Sequence, residues 1–200
     1  MMRNLRLLSG LALFVVALGS TAALAEPIIL VGDHALVGNQ AGQKVLIYVS
    51  GGDAVEGLNL NVQIGDGGPP LGGTTIAPVI TAVDFITGTI FDGNNNGQSD
   101  IATFPLFYAG STTTSKATVA ADGLLATLTI DTTGFLFGSW ALQLGNTDNG
   151  PTDFTVVAAS ITDGTISVPE PSGLVLALAT LLPIALACRC TTSRRSYRRS

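Results

Sequence analysis

The stretch whose spacing best suits a ligand is Asp92-Gly93-Asn94-Asn95-Asn96-Gly97-Gln98-Ser99-Asp100. Side-chain oxygens at Asp92, Asn94 and Asn96, followed by Gly97, match the first half of a D-x-[DN]-x-[DN]-G calcium loop, and Asp100 falls at the ninth position. Hard oxygen donors select calcium or magnesium over zinc. The twelfth position is Thr103, where such a loop carries a bidentate Glu, and no helical pattern flanks the stretch, which excludes an EF-hand. The residues predict either a weak calcium site, with Asp92, Asn94, Asn96 and Asp100 as ligands, or an Asn/Gly-rich turn. No other cofactor is expected.

Catalytic constellations are thin. His34 is the single histidine, and no G-x-S-x-G elbow accompanies it, so a serine triad has no frame. H-E-x-x-H and Cys-x-x-Cys are both absent, which leaves zinc without ligands. Asp131-Thr132-Thr133-Gly134 reads as a turn between strands rather than an acid-protease loop. Paired carboxylates for glycoside hydrolysis remain open, although Glu26 and Glu170 sit at the ends and only Glu56 stands apart. Trp140 could stack on a sugar, but its strand pattern places it on the apolar face, in the core. The sequence therefore predicts a non-enzymatic protein with no catalytic residue.

The 200 residues are 46% apolar and 12% charged, too apolar for a disordered chain. The charges are segregated. All fourteen acids lie between Glu26 and Glu170, with only Lys44 and Lys116 among them, a net charge of −12 for that span. It has no basic face for phosphates, which excludes nucleic acid as a partner.

Residues 1–25 have the order of a secretory signal peptide: Arg3 and Arg6, the apolar run Leu7 to Leu18, then Ala23-Leu24-Ala25 as a small-x-small cleavage site. Signal peptidase is the expected partner, and Glu26 the expected first residue of the exported chain. At the other end, Gly173 to Cys188 is a charge-free apolar segment of sixteen residues, followed by five arginines. It predicts a single transmembrane helix over 173–188, with Arg189 snorkelling and the basic tail 189–200 on the cytoplasmic side.

Val168-Pro169-Glu170-Pro171-Ser172 stands immediately before that segment. A Pro-Glu-Pro motif, an apolar helix and an arginine cluster, in that order, resemble the PEP-CTERM sorting signal of Gram-negative bacteria. The resemblance covers 168–200. It implies processing by an exosortase, loss of the helix, and delivery from the inner membrane to the cell surface or extracellular matrix.

The exported part, 26–167, contains no cysteine and shows strand and turn signals only. Leu58, Leu60, Val62 and Ile64 alternate with Asn59, Asn61 and Gln63, predicting one buried and one solvated face. Further strands are expected at 28–31, 44–49, 79–85, 87–91, 101–108, 124–130, 135–144, 154–158 and 165–168. Pro105 marks an edge. Leu128, Ile130, Trp140 and Leu142 join the predicted core. About ten short strands separated by turns indicate an all-β, antiparallel β-sandwich or jelly roll.

Ala41-Gly42-Gln43 before a Val-rich strand, Val55-Glu56-Gly57-Leu58, Asp122-Gly123 leading into Leu124–Ile130, and Asp163-Gly164-Thr165-Ile166-Ser167-Val168 are together similar to the cohesin family. That resemblance implies a nine-stranded jelly-roll scaffold with a binding role, and transfers no site residue. The expected function is a structural or binding module of the envelope or exopolysaccharide, with polysaccharide or envelope proteins as partners. A secreted polysaccharide-active hydrolase and a membrane-anchored periplasmic assembly subunit are the alternatives.

Overall fold

The structure, a computed structural model, describes residues 25–170. The expected signal peptide (1–24 of it), Pro171, Ser172, the apolar segment 173–188 and the basic tail lie outside the described residues. Among the described residues no helix is long and apolar enough to cross a membrane.

Twelve strands form two packed sheets. In chain order they are β1 (Ile28–Leu30), β2 (Asp33–Ala35), β3 (Gln43–Ser50), β4 (Gly57–Ile64), β5 (Val79–Asp84), β6 (Ser99–Phe104), β7 (Phe107–Thr113), β8 (Gly123–Asp131), β9 (Gly138–Gln143), β10 (Asp153–Phe154), β11 (Ser160–Thr162) and β12 (Gly164–Val168). One sheet runs β11-β1-β3-β8-β5. The other runs β2-β12-β9-β4-β7-β6, with β10 beside β4. The core lies between them. Leu58, Leu60, Val62, Ile64, Leu128, Ile130 and Leu142 are all fully buried, as the alternation requires.

The sandwich is antiparallel except at two pairings. β1 runs parallel to β11, and β2 parallel to β12. The expectation of a wholly antiparallel fold is corrected here, and the reason is a shared crossing. The first and last segments leave the five-stranded sheet together and enter the other together, turning at Gly32 and at Asp163–Gly164. The crossing is so close that a β-carbon on Gly164 would overlap the backbone carbonyl of Gly32. Gly32 itself has φ 77°, a conformation that suits glycine.

Further expectations change. Residues 87–91 are turns rather than a strand, because Asp84 Oδ1 accepts the N–H groups of Ile86 (2.9 Å) and Thr87 (2.8 Å) and curls the chain. The run 101–108 is the hairpin β6–β7, turning at Pro105-Leu106 with Phe104 opposite Phe107. Pro105 thus sits in the turn, and β6 is the edge strand. The strand expected at 135–144 starts only at Gly138, and that at 154–158 reduces to β10 because Phe154 and Val157 close a tight turn. Trp140 is half-buried and packs against the core from its margin, where its Nε1 donates to the Ile76 carbonyl at 3.0 Å.

Candidate functional site

The outer faces of the two sheets differ in chemistry. On β3 the outward side chains are Lys44, Leu46, Tyr48 and Ser50, and all four are exposed. Cross-strand pairing sets Leu30 and Leu124 on either side of Tyr48. Ile28 (51% exposed), Leu30 (56%), Leu46 (38%) and Tyr48 (50%) form an open apolar surface on β1 and β3. Scattered surface hydrophobes are ordinary. A contiguous set on neighbouring strands is a candidate interaction surface.

The other sheet has polar outward residues, and two of those on β4 are covered while Asn59 stays exposed. Asn61 and Gln63 are only 6% and 4% exposed. The segment between β9 and β10 crosses over them. Gln63 Oε1 accepts the Asp148 N–H at 2.8 Å, and Asn61 Oδ1 accepts Asn149 Nδ2 at 2.9 Å. This cover has a cause in the ladder. β9 pairs with β4 only at Gln63 and Ile64, and β10 only at Leu58 and Asn59. Between them the Asn61 backbone would be orphaned. The buried Thr152 hydroxyl fills the gap, accepting the Asn61 N–H and donating to its carbonyl, both at 3.0 Å. Sequence alternation placed these amides in solvent. Nothing local in the sequence marks the covering segment.

A groove of about 550 Å³ opens where edge strands β5 and β6 face each other, lined by Val79, Ile80, Val83, Phe104, Pro105 and Tyr108 among others. Both edges carry a register shift, at Thr81 and at Ile101, which twists them against further pairing. Tyr108 is 4% exposed and donates to Asp100 Oδ1, which also accepts Gln98 Nε2 at 2.9 Å. The hydrogen bond from Tyr108, then that from Gln98, holds the Asp100 carboxyl below its ordinary value. Burial, then the bond to Asp100, pushes the Tyr108 phenol well up. One group stays charged and the other stays protonated through the neutral range, so the pair braces the groove as a charge-assisted hydrogen bond.

The loop residues expected to meet at a cation are placed with separate partners. Asp92 Oδ2 accepts the Gly88 N–H at 3.1 Å. Asn94 Oδ1 accepts the Ser115 and Lys116 N–H groups at 3.2 and 2.9 Å, and its Nδ2 donates to Ala117 O at 2.7 Å. Asn96 Nδ2 donates to Thr113 Oγ1 and Thr114 O at 2.9 and 3.0 Å. Asp100 belongs to the groove. Of the sorting motif, Val168 ends β12 at 2% exposure, and Pro169 and Glu170 are exposed beyond it.

Other candidates take structural roles. His34 is half-buried in β2, its Nε2 2.8 Å from the Val31 carbonyl. Asp131 Oδ1 accepts the Thr133 N–H at 2.7 Å in the turn after β8. Asp66 organises residues 65–75, accepting from Thr74 N (2.7 Å), Thr75 N (3.0 Å) and Gly68 N (3.0 Å). The Thr74 N–H and the Thr75 hydroxyl, chiefly, hold its carboxyl far below the usual range. Asp163 Oδ1 likewise accepts from Leu144 N and Gly145 N at 2.7 and 2.8 Å. Among the described residues no three His, Cys, Asp or Glu side chains cluster as a metal site.

No protein-family model matches the chain, and no curated protein matches it. Solved structures do. A type III cohesin module from the cellulosomal ScaE cell-surface anchoring scaffoldin of Ruminococcus flavefaciens superposes with a TM-score of 0.50 at 13% identity, over 74% of this chain and 89% of that one. A non-cellulosomal cohesin from the hyperthermophilic archaeon Archaeoglobus fulgidus gives 0.48 at 17% identity, over 75% of this chain and 96% of that one. A cohesin module from a Clostridium perfringens family 33 glycoside hydrolase gives 0.46 at 12%, over 74% and 98%. At such identities the likeness is one of fold: residues 25–170 form a cohesin-like β-sandwich.

Proposed function

We propose that this chain is an exported, non-enzymatic binding module, sorted through its C-terminal tail and working at the cell surface or in the extracellular matrix. The observation that carries the binding role is the open apolar surface of Ile28, Leu30, Leu46 and Tyr48. Its chemistry favours a protein of the envelope over a polysaccharide. Three of its four side chains are aliphatic, whereas sugar recognition uses aromatic platforms with polar groups beside them. The sorting role is supported by the order of Pro169-Glu170-Pro171, the apolar segment and the arginines, and by exposed Pro169 and Glu170 directly after buried Val168.

The test combines mass and location. Intact-mass measurement on surface-extracted protein is expected to give a chain that begins near Glu26 and lacks the residues through Ser200. Recovery of the full C-terminus in that fraction sinks the sorting reading. A Leu30→Asp/Tyr48→Asp variant is expected to be processed normally and then to escape into the medium. Unchanged surface retention of a folded variant rejects the apolar surface as the docking face.

A further inference from the structure

We infer that the end of the sandwich from which the tail departs is a membrane-contacting tip, with Val37, Leu136 and Phe137 seated in the interfacial layer of a lipid bilayer while segment 173–188 is attached. The inference rests on the reading of 173–188 as a membrane segment and adds to it a second contact, made by the folded module.

Three large apolar side chains are exposed at this end: Val37 by 61%, Leu136 by 61% and Phe137 by 62%. They come from two loops that the fold brings against the chain exit. Leu36 N donates to Ser167 O at 2.7 Å, Asn39 N donates to Phe135 O at 2.8 Å, and Val168 pairs with Gly138. Gly38 lies at the centre of the contact. A β-carbon there would stand 3.0 Å from both Val168 Cγ1 and the Phe135 carbonyl, and 3.2 Å from Leu136 Cα.

The loops are held as a frame. Val37 N donates to Gln43 Oε1 at 2.7 Å, and Val37 O accepts Gln43 Nε2 at 2.9 Å and the Thr132 hydroxyl at 2.7 Å. Thr132 is itself fully buried. Gly134 N donates to Asn39 Oδ1 at 3.1 Å. These backbone groups therefore have internal partners, which an apolar environment demands. With Val37, Asn39 and Phe135 held through their backbones, the tip presents its side chains outward.

The chain beyond fixes what lies opposite. Four residues, 169–172, separate Val168 from the start of the uncharged apolar sequence at Gly173. Fully extended they reach about 14 Å. The interfacial layer on each side of the hydrocarbon is itself roughly 5–8 Å thick. The tip is thus tethered within one short span of the bilayer, at high effective concentration, and a separate protein partner has no such advantage. The net charge of −12 for residues 26–170 repels an anionic surface, so the attraction is apolar and the contact is favoured, not lost, as salt screens that repulsion. It would hold Pro169 and Glu170 close above the membrane.

The test uses the full chain with Cys188→Ser and Cys190→Ser, reconstituted into phosphatidylethanolamine/phosphatidylglycerol vesicles. A single cysteine is placed at the tip by Leu136→Cys, or at the opposite end of β8 by Asp122→Cys, and carries an environment-sensitive fluorophore. Spin-labelled lipid with the label near the headgroups is the quencher, flotation reports insertion of the tail, and circular-dichroism melts verify folding of both variants. The expected result is quenching of at least twofold at position 136 and none at position 122, undiminished as salt is raised. Chains that float with position 136 unquenched overturn the tip and leave the tail reading standing. Chains that do not float overturn both. A blue shift at 136 that grows with protein concentration and ignores the lipid quencher assigns the tip to a protein contact and overturns the proposal.

Discussion

The two outer faces of the sandwich invert the ordinary arrangement. On β4 the outward amides of Asn61 and Gln63 are buried beneath the segment leading to β10, whereas on β3 the outward Leu46 and Tyr48 are open. Polar side chains are covered because they serve the fold: Asn61 and Gln63 hold a crossing segment, and Thr152 completes a broken ladder. Apolar side chains are open because nothing among the described residues covers them. A face that is apolar and unused internally is the place to look for function. A polar face that is fully engaged is a place to look for stability.

Both faces rest on one core, which gives the comparison its scale. Leu128→Ala on β8 should destabilise the isolated module by about 2–5 kcal/mol, through lost transfer energy and the cavity left behind. Leu128 faces the interior at 0% exposure and stands opposite Val45 and Val83. Urea unfolding checks this. A loss below about 0.5 kcal/mol, typical of surface positions, would mean that the inward face of the five-stranded sheet is misplaced.

The next largest effect belongs to the covered polar face. Gln63→Ala removes the acceptor of the Asp148 N–H and the donor to the Gly65 carbonyl. Leaving those groups unpaired should cost about 1–3 kcal/mol. Equilibrium unfolding of this variant beside Leu128→Ala would rank the two. A negligible cost would show that the crossing segment merely lies over the sheet.

The interior half of this contrast was legible in the sequence, and the exterior half was not. Strict alternation in 58–64 is a local signal, so Leu58, Leu60, Val62 and Ile64 could be assigned to the core from spacing alone. The burial of Asn61 depends on Thr152, some ninety positions away in sequence, and on where β9 happens to leave β4. No periodicity encodes that. Trp140 failed for a related reason. Its parity is right, but it packs against the core from the margin, where the Ile76 carbonyl takes its N–H. The hairpin at Pro105-Leu106 was hidden because Phe104 and Leu106–Tyr108 make one apolar run on both sides of a turn.

A smaller effect is expected on the open face. Tyr48→Ser should change the stability of the isolated module by less than about 1 kcal/mol, since it removes only cross-strand contacts with Leu30 and Leu124. The same change should lower retention at the cell surface. Loss of stability comparable to Gln63→Ala would erase the distinction between the faces and make the apolar surface part of the module's own structure.

The smallest expected effect is at residues 92–100, a third polar region that tests whether engaged amides suffice without a metal. Asn94 Oδ1 already accepts two backbone N–H groups, and Asn94 Nδ2 and Asn96 Nδ2 close the loop onto residues 113–117. To ligate a cation, Asn94 would have to give up those donors, and Asp100 would have to leave Tyr108 and Gln98. Each released group would then need a new partner, at a cost comparable to a lost hydrogen bond. Weak extracellular calcium loops gain little enough, at dissociation constants of about 10⁻⁴–10⁻³ M, that such a cost would cancel the binding. Thermal melts in chelator and in millimolar calcium are therefore expected to superimpose, while Asn94→Ala should lower the melting temperature equally in both. A melting temperature that climbs with the logarithm of free calcium, and no longer does so in Asp92→Ala, would reverse this assignment. The loop would then be a metal site that rearranges on binding, and its network of amides the resting state of that site.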